Sequence, residues 1–477
     1  LKLFLYYFLM YDKRDTNLNN NIISPASILG INNILNQIDI EKKKGKYHIL
    51  ISDYQKIYGE NLNTNIIIPY IENDSIKDLV VINNPDDVVR ISNKHIKKSP
   101  ILEPILYNSI ISTTDVKDWK EQRKIFQEAF SVSNKLEKII PISIERAKYC
   151  NELLITKENK DGININDFFL NETMAQLQLA MFGFSNEFQE KTNYKIRKVF
   201  DGDKSKYEKK YYIDFLEEVK KSKGPLSLSF QKTLLKKKKE TFGNSIIFSF
   251  AGHDTTGNTL TWLIYELSNN LNIQNKLQIE VNLFWEIQDN KQIKYQDFKR
   301  LPYMTRCIME TLRLWSPIPN GTYRELIDDD YIIGKNNKKI KLLKGTYIQI
   351  PNWSRHRNPI LWGEDVNIFN PDREFKEDEL WNDSIINTYN PSSERFSPFT
   401  YTPRDCIGKN FSQIEMRIIL LYLLKDYNFY LTPKQVITYK NEDMGINKFT
   451  LAPRSIFDYT KQGLYVNVTK KTIHPKL

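Results

Sequence analysis

Apolar residues repeat at helical spacing in three segments of the chain. From Phe411 to Leu421 they recur every three or four positions, which predicts a helix that begins just after Cys406. Residues from Phe242 to Leu267 are apolar on several faces, which is typical of a long helix in the interior of a protein. A shorter helix is predicted over residues 171–184.

Shorter runs rich in β-branched residues predict strands. Residues 65–70 and 79–82 are such runs, bounded by Asn, Asp and Pro, and together they indicate a small sheet. Near the C-terminus, residues 449–466 have the pattern of strands around a turn. Residues 97–114 show no clear period and contain two prolines, so we expect a loop there.

Length and charge narrow the class of protein. The 477 residues are 40% hydrophobic, enough to bury a large core, and length alone would permit two or three domains. The net charge of +11 arises from 69 Lys and Arg against 58 Asp and Glu, and lysine-rich runs such as residues 236–239 are separate. Such runs are usually solvated surface, with an anionic membrane or an acidic protein partner as the alternative. Nucleic acid binding is not predicted, because the basic residues form no continuous arm.

Cysteine and histidine usage argues against disulfides and zinc. The three cysteines, Cys150, Cys307 and Cys406, are odd in number and far apart, which indicates a reducing compartment. The histidines never occur at the spacing of a zinc site.

Cys406 lies at a predicted junction between a loop and a helix. Pro398 and Pro403 prevent regular structure before it, and the helical pattern follows it. The unpaired N–H groups and the positive dipole end of a helix N-terminus stabilise a thiolate. Gly408 permits close approach of a large flat group, and Arg404 supplies a cation near the same plane. These residues suit haem, although a lone cysteine in such a place is more often a small buried apolar residue.

Trp119 and Arg123 lie four positions apart in a helical pattern and therefore share a face. Their indole N–H and guanidinium can bind one anionic ligand together, and the propionates of haem would suit both. The alternative is a half-buried tryptophan that covers the stem of an arginine on a surface helix.

Polar residues interrupt the long apolar segment before Leu267. Gly252 costs a helix roughly 1 kcal/mol relative to Ala, and Asp254 and Thr255 need hydrogen-bond partners if they are buried. A helix tolerates such residues where a ligand or ordered water lies against it, and oxygen bound to iron would be such a ligand. The alternative is a kink rich in Ser and Thr, or close packing against another helix. The same residues argue against a membrane span.

Four motifs, taken in order, resemble the signature of the cytochrome P450 family. The matching residues are Trp119 and Arg123, Ala251 to Thr256, Glu310 and Arg313, and Phe399, Arg404, Cys406 and Gly408. The glycine that the family carries four residues before the cysteine is Thr402 here. The turn of this loop is therefore expected to be built differently.

The resemblance implies a mainly α fold with small β sheets, in a single large domain that binds haem b. Cys406 would be the ligand of the iron, and Thr255 with Asp254 would deliver protons to bound oxygen. The other residues expected at the haem are Trp119, Arg123, Ala251, Gly252, Arg324, Phe399, Arg404 and Gly408, with His356 as a weaker candidate for the propionates.

The pair Glu310 and Arg313 has two interpretations. Residues one helical turn apart often form a surface ion pair, which contributes little when it is exposed. In the family the pair is buried and completed by a later arginine, and Arg373 is placed to provide it. Its role would then lie in folding and haem insertion rather than in chemistry.

The implied function is a monooxygenase that inserts one atom of O2 into a lipophilic substrate. Electrons would come from NADPH through a separate flavoprotein reductase, because the chain carries no flavin or nucleotide fingerprint. Lys120, Lys124 and Lys409 flank the haem motifs and are expected on the face where this reductase docks. Two alternatives stay open: a haem-thiolate isomerase or dehydratase that rearranges a peroxide, and a catalytically impaired haem-binding protein.

Two segments carry expectations about membrane and pocket. Residues 1–11 are apolar apart from Lys2 but fall short of the ~20 residues that span a bilayer. Residues 1–23 are therefore interpreted either as part of a longer anchor or as an N-terminal helix, and an anchor would hold residues 24–477 on the cytosolic face of the endoplasmic reticulum. The stretch between Phe184 and Phe250 is short for the helices that roof the pocket in the family. We expect a reduced lid there, through a compact design or the loss of a coding segment.

Overall fold

The structure is a computed structural model. It describes residues 24–72, 75–130, 136–156, 161–183, 231, 238–381, 391–438, 445–447, 450–458 and 461–471. The expected anchor at residues 1–23 lies outside the described residues, and so does almost all of the expected lid at residues 185–241. Both stay predictions, as does the division of the chain at residue 24.

Helices make up most of the regular structure in these ranges. They are α1 (Pro25–Leu29), α2 (Ile31–Lys44), α3 (Tyr47–Tyr58), α4 (Pro85–Lys94), α5 (Glu103–Leu106), α6 (Val116–Phe130), α7 (Ile139–Thr156), α8 (Ile165–Phe182), α9 (Lys238–Asn269), α10 (Leu271–Gln288), α11 (Pro302–Leu314), α12 (Asn352–His356), α13 (Pro359–Trp362), α14 (Lys409–Asp426) and α15 (Pro433–Thr438). Among the helices of the described ranges, none is both long and apolar enough to cross a membrane.

Short strands complete the fold. They are β1 (Ile66–Glu72), β2 (Ser75–Val81), β3 (Ile163–Asn164), β4 (Thr322–Glu325), β5 (Asp330–Ile333), β6 (Lys339–Leu342), β7 (Tyr347–Ile350), β8 (Tyr427–Leu431), β9 (Gly445–Asn447), β10 (Leu451–Pro453) and β11 (Tyr465–Lys470). The architecture is mainly α with small β sheets, as expected from the resemblance.

The chain forms two compact units. The first contains the described parts of residues 1–99, 319–368 and 392–404, and the second contains those of residues 100–318, 369–391 and 405–477. Each unit is therefore assembled from stretches that are far apart in the sequence.

The first unit is organised around a four-stranded sheet in the order β1-β2-β7-β4. β1 pairs antiparallel with β2, β2 runs parallel to β7, and β7 pairs antiparallel with β4. In β1, Ile66 and Ile68 belong to one buried apolar cluster and Ile67 to another, because successive side chains point to opposite faces. Both faces are covered at this strand, which explains why its sequence is an apolar run rather than an alternation.

In the second unit, α9 packs closely against α8. A Cβ atom added at Gly252 would lie 2.3 Å from Cδ2 of Leu177, and one added at Gly257 would lie 2.9 Å from Cδ2 of Leu170. The two glycines therefore let the α9 backbone approach its neighbour. Close packing against another helix, the alternative interpretation of Gly252, is therefore observed, and the expected contact of Gly252 with a cofactor stays a prediction.

The start of α11 shows how the helices of the second unit are fixed. Pro302 occupies the first turn, where a missing N–H costs nothing. The N–H groups of Tyr303 and Met304 donate to the two carboxylate oxygens of Glu280 at 2.7 and 2.8 Å. Glu280 belongs to α10, so one carboxylate both caps α11 and holds the two helices together.

Most predicted elements occur in the structure. The helix expected after Cys406 is α14, the long buried helix is α9, and the two β-branched runs lie in β1 and β2. The helix expected over residues 171–184 begins earlier, at Ile165, because the side chain of Asn164 accepts a hydrogen bond from the N–H of Asp167 and caps it.

The loop predicted over residues 97–114 contains short helical turns, so that prediction is wrong in part. Pro100 opens a 3-10 turn over Pro100–Leu102, and Pro104 lies in the first turn of α5. Proline is favoured at the start of a helical turn because its missing N–H would have no partner there. The residues that suggested a loop therefore begin the turns.

Candidate active site

Cys406 lies in the loop directly before α14, and Gly408 is the N-cap residue of that helix. The predicted junction between loop and helix is therefore confirmed. The Cys406 side chain is exposed, whereas Cys150 and Cys307 are buried. A Cβ atom added at Gly408 would meet no protein atom within 4 Å apart from those of its chain neighbours, so the backbone beside the cysteine leaves room for a ligand.

The surroundings of the Cys406 sulfur act on its pKa in both directions. Neighbouring protein atoms raise the pKa of the thiol, whereas the N–H of Gly408, Arg123 and Lys409 act to lower it. Because the side chain is also exposed, solvent offsets part of the effect of burial. A metal ion at the sulfur would favour the thiolate outright.

Arg123 ties α6 to the cysteine loop. Its Nη1 donates to the backbone oxygen of Asp405 at 2.7 Å, and its Nη2 donates to Asp405 Oδ1 at 3.0 Å. Trp119, one turn earlier on the same helix, is buried with 4% of its surface exposed. The structure therefore brings Arg123 to the residue next to Cys406, and its role at a propionate stays a prediction.

Lys409 corrects one expectation about the docking face. Its Nζ donates to Asp405 Oδ2 at 2.7 Å, and only 11% of its side chain is exposed. A lysine that is paired and so little exposed offers little charge to a partner, so the placement of Lys409 on the docking face is wrong. Lys120 and Lys124 are exposed on α6, as expected for a docking surface.

The polar residues of α9 divide between two environments. Ala251, Gly252 and Thr255 are partly exposed on one side of the helix, whereas Asp254 is buried. The hydroxyl of Thr255 donates to the backbone oxygen of Ala251 at 2.9 Å, so the helix itself satisfies this side chain. The carboxylate of Asp254 accepts a hydrogen bond from Thr450, far along the chain.

In the first unit, two cations bind Thr322, and the charge of a third, Arg404, acts on one of them. Lys98 Nζ and Arg324 Nη1 donate to Thr322 Oγ1 at 2.8 and 2.7 Å. Burial, followed by the charges of Arg324 and Arg404, lowers the pKa of Lys98 well below its ordinary value, although part of this side chain reaches solvent. Burial likewise lowers the pKa of Arg324 to about 9.

Arg324 has N–H groups without a hydrogen-bond partner among the described residues. It is fully buried, and its Nε and Nη2 have no hydrogen-bond partner among the described residues. A buried guanidinium with unused N–H groups is costly unless an anion completes it. The cluster of Lys98, Arg324 and Arg404 is therefore suited to bind a carboxylate or another anion.

The loop before Cys406 is held by residues of the first unit. Phe399 lies in a turn, and Thr400 directly after it has a φ of 60°. Thr402, which stands at the position of the family's glycine, lies in a second turn with Pro403. Arg355 donates to the hydroxyl of Tyr401 at 2.7 Å. Arg404 Nε donates to the backbone oxygen of Ile96 at 3.0 Å.

His356 supports the backbone of the cysteine loop. It is fully buried, and its Nε2 accepts a hydrogen bond from the N–H of Ser397 at 3.1 Å. Its weaker candidacy for the propionates stays a prediction.

The expected buried ion pair is present in the second unit. Arg313 Nε and Nη2 each lie 2.7 Å from a carboxylate oxygen of Glu310, and Arg373 Nε lies 3.3 Å from Glu310 Oε1. The side chains of Glu310 and Arg313 have no exposed surface, and the N–H of Asn370 donates to Glu310 Oε1 at 3.0 Å. The placement of Arg373 as the completing arginine is therefore confirmed.

Sequence reasoning did not find Lys98, Arg355 or Thr450. Lys98 lies in a short polar run without a helical or strand period, which looks like solvated surface. Arg355 could have been found only from its neighbour His356, and Thr450 carries no local signal at all.

The residues present fit a haem. In the second unit, the exposed thiol of Cys406 and the free space at Gly408 suit a planar group that is bound through a thiolate. In the first unit, the unused N–H groups of Arg324 suit an anionic group.

Comparison with known proteins agrees with this chemistry. The family model described as Cytochrome P450 matches residues 25–216 and 203–457. The chain is 30% identical over 250 residues to a putative cytochrome P450 CYP13A5 of Caenorhabditis elegans, which covers 51% of this chain and 43% of that protein.

Two mammalian proteins are similar to the same degree. Cytochrome P450 4F8 of Homo sapiens is 32% identical over 44% of this chain and 39% of its own length. Cytochrome P450 3A12 of Canis lupus familiaris is 32% identical over 47% of this chain and 41% of its own length. The chain thus spans about two fifths of the length of the curated relatives that it matches.

Proposed function

Because the chain belongs to the cytochrome P450 family, we propose that it is a haem-thiolate monooxygenase that inserts one atom of O2 into a lipophilic organic substrate. The observation that carries this proposal is the exposed thiol of Cys406 at the start of α14. Cys150 and Cys307 are buried and offer no comparable ligand.

The proposed cofactor is haem b, which supplies the activation of O2 when it is bound. Cys406 would hold the iron as a thiolate. Lys98, Arg324 and Arg404 would bind the propionates, and the unused N–H groups of Arg324 support this role. The remaining residues proposed to contact the cofactor are Trp119, Arg123, Ala251, Gly252, Phe399 and Gly408.

The chain's own contribution to the chemistry is proton handling on α9. Asp254 would take a proton from solvent, and the hydroxyl of Thr255 would pass it to a ligand on the partly exposed side of α9. In the structure this hydroxyl donates to Ala251 at 2.9 Å, so it must rotate away from the backbone to serve a ligand. Catalytic hydrogen bonds of this kind often tighten only when ligands are bound.

The proposal includes a reductase and a membrane. Lys120 and Lys124 are exposed on the helix that carries Trp119 and Arg123, which suits an acidic flavoprotein that delivers electrons from NADPH. Membrane association at the cytosolic face of the endoplasmic reticulum rests on the apolar residues 1–11.

Oxygen uptake tests the proposal. Purified full-length protein with NADPH and a flavoprotein reductase should consume O2 when offered members of a lipid and sterol panel, and omission of either NADPH or the reductase should abolish the uptake. Conversion of an organic peroxide without O2 or reductase would support a haem-thiolate isomerase or dehydratase instead. Haem binding without either activity would support an impaired haem protein.

A further inference from the structure

A residue near the C-terminus contacts the carboxylate of Asp254. The Oγ1 atom of Thr450 donates to Asp254 Oδ2, although the two residues lie 196 positions apart. Both side chains are buried, with 7% of Asp254 and 2% of Thr450 exposed. A buried carboxylate gains substantially from such a donor, because hydrogen bonds to charged groups are stronger than those between neutral groups.

The backbone of Leu451, the residue after Thr450, is held through both its N–H and its carbonyl oxygen. The N–H of Leu451 donates to the backbone oxygen of Pro317 at 2.9 Å. The backbone oxygen of Leu451 accepts a hydrogen bond from Trp262 Nε1 at 3.0 Å. Trp262 belongs to α9 and lies about 12 Å beyond Asp254 along the helix, at 1.5 Å per residue. The segment of Thr450 and Leu451 is therefore fixed to α9 at two separate points.

The contact with Thr450 fixes the carboxylate of Asp254, one of the two residues of the proposed proton relay. Thr255 donates to the backbone oxygen of Ala251, whereas Asp254 is bound by Thr450. The two residues thus have different partners, although they are adjacent in the sequence. A carboxylate that must later receive a proton needs a defined position, since a displaced base loses most of its effect.

We propose that Thr450 is a positioning residue for Asp254, and that its hydroxyl fixes the carboxylate for proton delivery. The part of this inference that concerns proton delivery rests on the proposed monooxygenase function. The contact itself does not, and the two can be tested apart.

The first test is a double-mutant cycle on thermal unfolding of the full-length protein, with Thr450→Val and Asp254→Asn. If the hydroxyl and the carboxylate form one interaction, the loss of Tm in the double variant should be smaller than the sum of the two single losses. Thr450→Ser, which keeps a hydroxyl, should stay closer to wild type than Thr450→Val. Thr432→Val is a matched control: it removes a buried hydroxyl that accepts from the N–H of Gln435 in the same unit, and its effect should add to that of Asp254→Asn.

The second test measures coupling and the solvent isotope effect. Thr450→Val should form less product and more peroxide per NADPH than wild type, with a larger effect of D2O on turnover, and Thr450→Ser should restore both. Additive Tm losses in the cycle would overturn the contact. A coupled contact with unchanged peroxide yield and isotope effect would overturn the role in proton delivery. Wild-type protein without O2 uptake would instead contradict the proposed function, and the thermal cycle would still decide the contact.

Discussion

Lys98 and Arg324 donate to the same oxygen atom. Lys98 Nζ lies 2.8 Å and Arg324 Nη1 lies 2.7 Å from Thr322 Oγ1. Two cations bound to one hydroxyl repel each other, and an anion beside them would offset this repulsion. Arg404 adds a third positive charge that acts on Lys98. The cluster is thus better suited to bind an anion, such as a propionate of the proposed haem, than to stabilise the protein alone.

Replacement of Lys98 by Met should separate the effect of the cluster on haem binding from its effect on protein stability. Without the lysine charge, the haem-free protein should be more stable, because the repulsion with Arg324 is removed. The haem-loaded protein should release haem faster to an acceptor such as apomyoglobin, because one propionate donor is lost. Lys338→Met, on an exposed lysine of the same unit, should change neither quantity. Slower haem release from Lys98→Met would contradict the assignment of the cluster.

Glu310→Gln should destabilise the protein strongly. Glu310 is bound by Arg313 and Arg373 without exposed surface, so its removal leaves buried charge unpaired at a cost of about 3–5 kcal/mol in the free energy of unfolding. Asp372→Asn is the control, since the exposed pair of Asp372 with Lys276 is expected to contribute about 0–1 kcal/mol. Urea unfolding measures both. Equal losses in the two variants would contradict the buried geometry.

Glu415→Gln should remove a pH dependence of stability. Glu415 on α14 is fully buried, and neither carboxylate oxygen has a hydrogen-bond partner among the residues that the structure describes. Burial and, to a smaller extent, Glu172 raise the pKa of Glu415 well above its ordinary value of 4.5. The folded state therefore favours the protonated carboxyl. The contribution of Glu415 to the free energy of unfolding is full below its ordinary pKa of 4.5. This contribution is lost as the pH rises toward the higher pKa of the folded state.

Thermal unfolding as a function of pH checks this prediction. The wild type should lose Tm relative to Glu415→Gln from about pH 4.5 upward, so the variant should be the more stable protein at pH 8. Glu121→Gln, on an exposed residue of α6, should follow the wild type throughout. A wild type that gains stability over Glu415→Gln as the pH rises would reverse the sign and contradict the account.

Thr255→Ala should uncouple electron use from product formation. The substitution removes a hydroxyl that donates only within the helix in this structure, so haem and substrate binding should be retained. Proton delivery would lose its donor, and reducing equivalents should appear as peroxide instead of product. The measurement is product and peroxide per NADPH. Unchanged coupling would shift the role to Thr256 or favour the isomerase alternative.

Local patterns predicted the elements that carry the site. The apolar repeat after Cys406 is α14, and the long apolar segment is α9, because helix packing against a core imposes that periodicity on the sequence. The buried group of Glu310, Arg313 and Arg373 was predicted only through the resemblance, since its spacing alone equally describes a surface pair.

Contacts between distant residues could not be predicted. Lys98 acquires its role from Arg324 and Arg404, and Thr450 acquires its role from Asp254, without any local signal in the sequence. Lys409 looked like a surface lysine because its partner Asp405 lies one turn away, in a loop whose burial no sequence pattern reveals.

The absorption spectrum of the reduced, CO-bound protein tests the central claim most directly, because it reports whether a cysteine thiolate is the ligand of the haem iron. The wild type and Cys307→Ala should both give the thiolate-type band, and Cys406→Ala should lose it, since only Cys406 of the three cysteines is exposed. A band that survives Cys406→Ala and disappears in Cys307→Ala would contradict the account.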